Sequence, residues 1–427
     1  MKRSTFLILI LIAISKISIS QDLEYTKRVV SKLASPEFKG RGYVEDGDKL
    51  AANYIIEEFK AVGIKPISKT YNQKFNVSVN TFPNSPILKI NNEELKIGVD
   101  YLIESSSPSI DGTFKIIVIN RKDIANQDNL LNKIAEAKNN LLLVDTREKT
   151  GEDKELTKKI DNLIDAIKYD PQVSVKGVVV LTKDKLTWEC SSTLNSKPII
   201  IINKEIDINK VSSIQIKIEG EFKKKYETQN IVGIIEGEIK PDSFIVVTAH
   251  YDHLGMLGKE VYFPGANDNA SGVALLLNLG KYYSQHKPKY SIVFIALAAE
   301  ELGILGAKEF TDNPMIKLNK IKFLINFDLA GTGDEGIRVV NGSVFKDKFD
   351  LMTKINTENQ LLPKIDIRGE ACISDHCLFY QKGVPCFYIY TQGGIKAYHD
   401  IYDKYETLPF TEFDDYVKLV IKFFDAI

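Results

Sequence analysis

Apolar residues in the second half of the chain form short, nearly continuous runs separated by polar loops. The runs are Phe244–Ala249, Ser291–Leu297, Lys322–Phe327 and Pro385–Tyr390. A strand covered on both faces needs apolar residues at almost every position, so each run predicts a buried strand. Helical segments such as Ser271–Tyr283 separate them. This alternation predicts an α/β fold with a mainly parallel central sheet flanked by helices.

The pattern differs in the first half of the chain. Residues 22–75 are predicted to be helical, because Lys49–Phe59 has apolar residues at helical spacing and Gly63 ends that segment. Short β-rich runs then alternate with polar helical stretches up to about residue 225. The runs are 114–119, 140–144, 178–181 and 198–202, and one helical stretch is 152–168. No cluster of His and acids occurs there, which predicts a β-rich inserted domain, 76–225, within a domain formed by 21–75 and 226–427.

The N-terminus has the pattern of a secretory signal peptide. Lys2 and Arg3 precede the apolar run Phe6–Ile14, and small residues follow up to Ser20. Residues 1–20 are therefore predicted to be cleaved after Ser20, with a retained anchor as the alternative. The apolar run is shorter than the roughly 20 residues of a membrane helix. We expect an exported protein, periplasmic or secreted, without an integral membrane segment in the mature chain.

Composition excludes some classes of partner. The chain has 427 residues, 44% of them hydrophobic, which is enough for more than one folded unit. The formal net charge of −1 gives no overall field to attract nucleic acid or an anionic membrane. The four cysteines allow three pairings in an exported chain, or remain free, and none is assigned to metal.

Residues that bind metals or move protons follow the predicted strands. His250, Glu300, Glu301 and Asp328 come just after the ends of three of them. Carboxyl ends of parallel strands meet at one edge of an α/β sheet, so these side chains are expected to share a crevice. Imidazole and carboxylate are the ligands that zinc takes when thiolate is absent. Asp252, two residues after His250, is placed to orient its imidazole.

Two local patterns leave carboxylates free for chemistry. Asp268 lies in a glycine-flanked loop before a predicted helix, which Asn269 or Ser271 can cap in its place. Glu300 and Glu301 are adjacent at a strand end, and adjacent side chains of an extended backbone point in different directions. One of these two acids can therefore bind metal while the other faces a substrate.

Several strings of the sequence resemble the co-catalytic dizinc aminopeptidases of metallopeptidase family 28. They are Ala249–Gly255, Gly265–Gly272, Glu300–Gly306, Asn326–Gly331, Ser374–His376 and Tyr398–His399. Phe38–Gly42 is similar to the N-terminal segment of that family, so the resemblance covers residues 22–70 and 229–427. It implies the phosphorylase/hydrolase-like fold of zinc aminopeptidases. Within the insert, Lys176–Ile202 is similar to the protease-associated domain often inserted in such enzymes.

The resemblance implies a site for two Zn²⁺ ions per chain. His250 and Asp328 would hold one ion, and Glu301 and His399 the other. Asp268 would bridge the two ions. The protein would then hydrolyse N-terminal residues from peptides by a two-metal mechanism, in which a bridging hydroxide attacks the peptide carbonyl.

The remaining roles are implied in the same way. Glu300 would be the general acid/base, Asp252 would brace His250, and Tyr398 is a candidate to polarise the scissile carbonyl. Relatives have a cis peptide after the bridging Asp, which predicts a cis bond between Asp268 and Asn269.

Other positions and functions stay open. His253 either supports a metal ligand or is structural, and His376 either contacts substrate or packs near the site. Relatives often have Pro at the position of Ile401, whereas Asp403 occupies the usual acidic place. A carboxypeptidase or dipeptidase of the same fold is the alternative function. A catalytically dead receptor-like homologue and a single-zinc glutaminyl cyclase are further alternatives, and the oligomeric state is not predicted.

Overall fold

The computed structural model describes residues 22–148 and 154–427. The predicted signal peptide, residues 1–20, lies outside the described residues. The helices are α1 (Leu23–Leu33), α2 (Gly47–Val62), α3 (Arg121–Ala125), α4 (Gln127–Glu136), α5 (Lys154–Tyr169), α6 (Gly272–Gln285), α7 (Leu305–Asp312), α8 (Lys346–Asn359), α9 (His376–Gln381) and α10 (Phe413–Ala426). Within the same ranges, no helix is both long enough and apolar enough to span a bilayer.

The strands of the described residues divide among four sheets. In chain order they are β1 (Lys65–Pro66), β2 (Asn72–Thr81), β3 (Ile87–Ile90), β4 (Glu93–Glu94), β5 (Tyr101–Ile103), β6 (Ile110–Phe114), β7 (Ile116–Asn120), β8 (Leu141–Asp145), β9 (Gly177–Leu181), β10 (Ile199–Ile202), β11 (Ile214–Ile218), β12 (Glu221–Ile235), β13 (Lys240–His250), β14 (Met256–Leu257), β15 (Val261–Tyr262), β16 (Tyr290–Leu297), β17 (Ile321–Phe327), β18 (Ile337–Val340), β19 (Ile365–Ile367) and β20 (Cys386–Thr391).

The largest sheet has the order β1-β12-β16-β13-β17-β20-β18-β19, and β2 also pairs with β12. Its centre, β16-β13-β17-β20, is parallel, and these are the four strands predicted from the apolar runs. Antiparallel pairs flank this centre on both sides, because β12 pairs with β16 and β18 with β20. The predicted α/β fold is confirmed, with a mixed sheet that is parallel at its centre.

Helices cover both faces of this sheet. Along β13, Val247 packs in the core that contains residues of α1, α2, α6 and α10, whereas its neighbour Val246 packs with Phe310 of α7 and Phe379 of α9. Successive side chains of a strand point to opposite faces. A strand between two helical layers therefore needs the continuous apolar run that the sequence shows.

The middle region contains two smaller sheets, β5-β10-β9-β8-β7 and β4-β3-β11-β6. Strands β7 to β10 are parallel neighbours and correspond to the predicted β-rich runs. Helix α5 buries Ile160, Ile164 and Ile167 against one face of that sheet. The predicted boundaries at 75/76 and 225/226 fall inside β2 and β12, and the division into domains stays a prediction.

The helical prediction for residues 22–75 is wrong at its C-terminal end. Strand β1 starts at Lys65, and β2 starts at Asn72 and pairs antiparallel with β12. Side chains of β2 alternate between buried and exposed positions, with Phe75, Val77 and Val79 buried. This period of two is the signal of a strand with one covered face, and polar residues separate its apolar positions, so they form no continuous apolar run.

Candidate metal centre and active site

Polar side chains converge at the carboxyl edge of the parallel strands. His250 is the last residue of β13, Glu300 and Glu301 follow β16, and Asp328 follows β17. His399 lies in the loop after β20. The sheet therefore brings together residues separated by up to 149 positions in the chain, as the sequence predicts.

A first group of ligand-type atoms surrounds the His250 imidazole. Its Nε2 lies 3.3 Å from Oδ1 of Asp268 and 3.4 Å from Oδ1 of Asp328. Among the described residues, Oδ1 of Asp328 is a buried oxygen without a hydrogen-bond donor. Its other oxygen lies 3.4 Å from the hydroxyl of Tyr388. The His250 nitrogen and the Oδ1 atoms of Asp268 and Asp328 therefore lie close together, and Oδ1 of Asp328 receives no hydrogen bond from the described residues.

A second group lies on the other side of the same aspartate. Nε2 of His399 is 3.2 Å from Oδ2 of Asp268 and 3.4 Å from Oε2 of Glu301. Asp268 therefore faces the first group through Oδ1 and the second through Oδ2. This is the arrangement that a bridging carboxylate requires.

His253 belongs to the second group in a different way. Its Nδ1 lies 2.7 Å from Oε1 of Glu301 and 4.0 Å from Oδ1 of Asp268, so these three residues could also hold an ion. A separation of 2.7 Å is, however, that of a charge-assisted hydrogen bond. His253 therefore orients Glu301, whose other oxygen is left to face His399.

Helix capping and a buried carboxylate fix the loop that carries Asp268. The side chain of Asn269 accepts from the amide of Gly272 at 3.0 Å, so it takes the capping place that the sequence left to Asn269 or Ser271. Asp403 accepts from the amides of Asn267 and Asp268, both at 2.9 Å. The peptide bond between Asp268 and Asn269 is cis, as predicted.

Arg41 supports this loop from below. Its guanidinium is fully buried and donates to five main-chain carbonyls at 2.8–3.0 Å. The acceptors belong to Leu33, Tyr251, Pro264, Gly265 and Asp268. Burial lowers the pKa of Arg41 to about 10, against the opposing charges of Asp268 and Asp403. The sequence indicated this arginine only through the Phe38–Gly42 resemblance and gave it no role.

Asp252 supports both His250 and the acidic pair. Nδ1 of His250 lies 3.2 Å from the main-chain oxygen of Asp252 but 3.9 Å from its carboxylate. The carboxylate instead accepts from the amides of Glu300 and Glu301, at 3.1 and 3.4 Å. The hydrogen-bond brace on His250 is thus main-chain, and the side chain of Asp252 holds the turn that presents the two glutamates.

A buried acid that the sequence left without a role lies near Glu300. Asp375 is completely buried, and neither of its carboxylate oxygens has a hydrogen-bond donor in the described part of the chain. Burial raises the pKa of Asp375 to about 8. Burial also raises the pKa of Glu300 well above its usual value, and Asp375 adds to the rise although His250 opposes it. A carboxyl group with a raised pKa suits general acid/base chemistry, because it can both accept and return a proton.

Tyr398 stacks its ring on that of His399, with ring centres 4.0 Å apart and planes within 12°. Tyr398 is 48% exposed overall. Burial of its hydroxyl, followed by the charges of Asp268 and Glu301, raises its pKa, so it remains a proton donor at neutral pH. The sequence also left His376 open. It is buried, stacks on Tyr388 and lies 2.9 Å from the oxygen of Ala371 through Nε2.

A cleft of about 510 Å³ opens beside the two groups. One wall contains Glu300, Glu301 and His399, and another contains residues 372–374. Cys372 is disulfide-bonded to Cys377, while Cys190 and Cys386 are free. A further wall, residues 189–192, comes from the predicted insert. The cleft is thus formed by both predicted domains.

Two His–carboxylate groups that share one aspartate, at the carboxyl edge of an α/β sheet, define a candidate dinuclear metal site. Comparison with known proteins agrees with this class. Residues 230–424 match the model of Peptidase family M28.

Curated relatives match a short segment of the chain. The aminopeptidase YwaD of Bacillus subtilis is 37% identical over 110 residues, which are 25% of this chain and 23% of that protein. A probable zinc metalloprotease of Pyricularia oryzae is 35% identical over 111 residues, 25% of this chain and 22% of its own length. The matched segment therefore spans about a quarter of either relative.

Solved structures share the fold over nearly the whole chain. A zinc aminopeptidase from Bacillus subtilis superposes with a TM-score of 0.70 at 19% identity, covering 95% of this chain and 94% of that one. An aminopeptidase from Aneurinibacillus sp. strain AM-1 gives a TM-score of 0.62 at 20% identity, covering 95% and 93%. The overall architecture, including the middle region, is thus similar to that of these two proteins.

Proposed function

We propose that the protein is an exported, zinc-dependent exopeptidase that removes N-terminal residues from peptides. The observation that carries this proposal is the position of Asp268, with one carboxylate oxygen toward each His–carboxylate group. The relatives described above are aminopeptidases and a probable zinc metalloprotease by name, which supports the same class. Export rests on the predicted signal peptide, and N-terminal sequencing of the mature protein would test cleavage after Ser20.

The geometry of the two groups fits zinc. Four nitrogen–oxygen separations, two around His250 and two around His399, lie between 3.2 and 3.4 Å. Ligand atoms about 2.0 Å from one tetrahedral zinc ion are about 3.3 Å from each other. The buried Oδ1 of Asp328, which has no donor among the described residues, also fits a metal ligand.

These contacts support the proposed ligand assignment. His250 and Asp328 would hold one ion, Glu301 and His399 would hold the other, and Asp268 would contact both. Two zinc ions, when bound, supply Lewis acidity that lowers the pKa of a water molecule and polarises a carbonyl group.

The protein's own groups would move the proton and orient the reactants. Glu300 would take a proton from the attacking water through its carboxylate and pass it to the leaving amine. Asp252 holds the backbone at Glu300 for this role through its amide contact. The hydroxyl of Tyr398, which stays protonated, would donate to the oxygen of the scissile carbonyl as charge develops on it.

Peptide assays separate the aminopeptidase from its alternatives. We expect cleavage of peptides with a free N-terminus and none of N-acetylated peptides. Preference for blocked N-termini with a free C-terminus would favour a carboxypeptidase, and cleavage of dipeptides alone would favour a dipeptidase. Zinc content provides the second measurement. Two ions per chain are expected, whereas one would favour a glutaminyl cyclase and none a receptor-like homologue.

A further inference from the structure

We propose that Lys185 and Trp188, which belong to the predicted insert, position His399 and so complete the second ligand group. The proposal rests on the proposed function in one respect, namely that His399 holds zinc. Its content is separate: a segment distant from the peptidase sheet in sequence fixes a ligand that lies in a loop eight residues beyond its strand.

His399 needs support from outside its own loop. It follows β20 by eight residues and has a φ of 53°, in the left-handed region. That conformation is unfavourable for a residue with a side chain, so surrounding contacts must hold it. His250, in contrast, is the last residue of β13 and pairs with Leu297 in the sheet.

Trp188 supplies a main-chain contact to this residue. Its amide donates to the oxygen of His399 at 2.9 Å. The indole that anchors Trp188 is buried, donates from Nε1 to the oxygen of Ile103 at 2.7 Å, and stacks on Phe263 with ring centres 5.0 Å apart. The main-chain amide that donates to His399 is therefore held in place by the contacts of the Trp188 indole with Ile103 and Phe263, which lie in different parts of the chain.

Lys185 contacts the loop on both sides of His399. Its ammonium donates to the oxygens of Lys396 and Tyr398, at 2.9 and 3.1 Å. It also lies 2.5 Å from Oδ2 of Asp400, whose side chain is 5% exposed. The three acceptors flank His399 in sequence, so one ammonium group ties together the residues before and after it.

The predicted effect is moderate and selective. The side chain of Lys185 is 45% exposed, so solvent screens its charge and the hydrogen bonds carry most of the effect. Loss of a group that orients a metal ligand lowers metal affinity by about 10- to 100-fold. Since none of these contacts reaches His250 or Asp328, only one of two zinc ions should bind more weakly.

Zinc titration of Lys185→Met, Asp400→Asn and the double variant tests the proposal. Free zinc is set with a chelator buffer, and bound zinc per chain is measured along with circular dichroism. We expect half-saturation of one site to need about tenfold more free zinc in Lys185→Met, while the other site is unchanged. Asp400→Asn should weaken the same site, and the double variant should be no weaker than the worse single variant.

Lys204→Met is the matched control. Lys204 is also an ion-paired lysine of the middle region, 3.0 Å from Glu93 and 3.6 Å from Asp100. It should titrate like the wild type. Equal weakening of both sites in Lys185→Met, wild-type titration of Lys185→Met, or additive effects of the two substitutions would overturn the proposal. A wild-type protein that binds fewer than two zinc ions would instead contradict the proposed function.

Discussion

Nδ1 of His253 lies 2.7 Å from Oε1 of Glu301, while Oε2 of the same carboxylate faces His399 at 3.4 Å. The glutamate thus gives one oxygen to a neighbouring imidazole and keeps the other for the candidate metal position. As a metal ligand, Glu301 would be ionised and could only accept, which would place the proton of this hydrogen bond on His253 Nδ1.

His253→Phe should weaken one of the two zinc sites, because the ring shape is kept and the hydrogen bond to Glu301 is lost. We expect about a tenfold loss of affinity at that site, measured by zinc titration. His286→Phe is the control, since His286 is exposed and lies at a helix end, 3.0 Å from the main-chain oxygen of Tyr282. Unchanged zinc binding in His253→Phe would show that Glu301 does not need this partner.

Glu300→Gln should retain both zinc ions and lose at least about 100-fold in kcat. The amide keeps the shape and the backbone contact to Asp252 but cannot accept and return a proton. Zinc content and steady-state hydrolysis of a free-N-terminus peptide check the two parts. Wild-type turnover would remove Glu300 from the mechanism, and loss of zinc would make it a ligand.

Asp268→Ala and Asp328→Ala should differ in zinc stoichiometry. Asp268 contacts both groups through separate oxygens, so its loss should release or weaken both ions. Asp328 contacts only His250 among the histidines, so its loss should affect one ion. Elemental analysis after dialysis at matched free zinc measures both. Equal stoichiometry in the two variants would contradict a bridging role for Asp268.

Arg41→Met should destabilise the fold by more than about 3 kcal/mol, because it leaves several buried carbonyls without a donor. The melting temperature of the zinc-free protein measures this without reference to activity. Arg28→Met is the matched control: Arg28 is 54% exposed and its ion pair is with Glu58. Similar melting temperatures for the two variants would show that the buried contacts of Arg41 contribute little.

Asp48 should make the free energy of unfolding depend on pH in the direction opposite to that of an aspartate whose pKa is lowered by a surface ion pair. Burial raises its pKa to about 6 from 3.8, although Tyr226 and Thr228 donate to it at 2.6 and 2.8 Å. The folded state therefore binds the proton more tightly than the unfolded state between these pH values. Stability from this group is present below about pH 4 and is lost as pH rises through 6, by about 3 kcal/mol in total.

Asp48→Asn removes that titration and provides the comparison. The melting temperature of the wild type should fall relative to that of Asp48→Asn between pH 4 and pH 7. Melting curves that stay parallel across this range would show that Asp48 keeps an ordinary pKa in the fold.

Much of the fold could be predicted from the sequence because buried parallel strands leave continuous apolar runs. The strand ends then indicated where His250, Glu300 and Asp328 meet. Strand β2 was missed because its apolar residues alternate with polar ones and never form a run. The local residue pattern also does not show that β1 and β2 pair with β12, which is distant in sequence. The helix prediction therefore continued past Lys65.

The supporting residues of the site were harder to predict than its ligands. Arg41 contacts five main-chain carbonyls. Every residue has a main-chain carbonyl, so such acceptors cannot be recognised from residue type. Asp403 likewise holds the Asp268 loop through amides. Asp375 was part of a recognised string, but its burial becomes visible only once α9 packs beside β17.

Thr81 and Glu221 are directly opposite each other in the antiparallel pairing of β2 with β12. The chain therefore leaves the large sheet after Thr81 and returns to it at Glu221, at a single residue pair of the two strands. A two-residue hairpin turn could therefore connect β2 directly to β12 without changing the pairing of the two strands. The intervening segment could then be gained or lost during evolution without disturbing the large sheet. A chain shortened in this way would keep its large sheet, but His399 would need other contacts in place of those from Lys185 and Trp188.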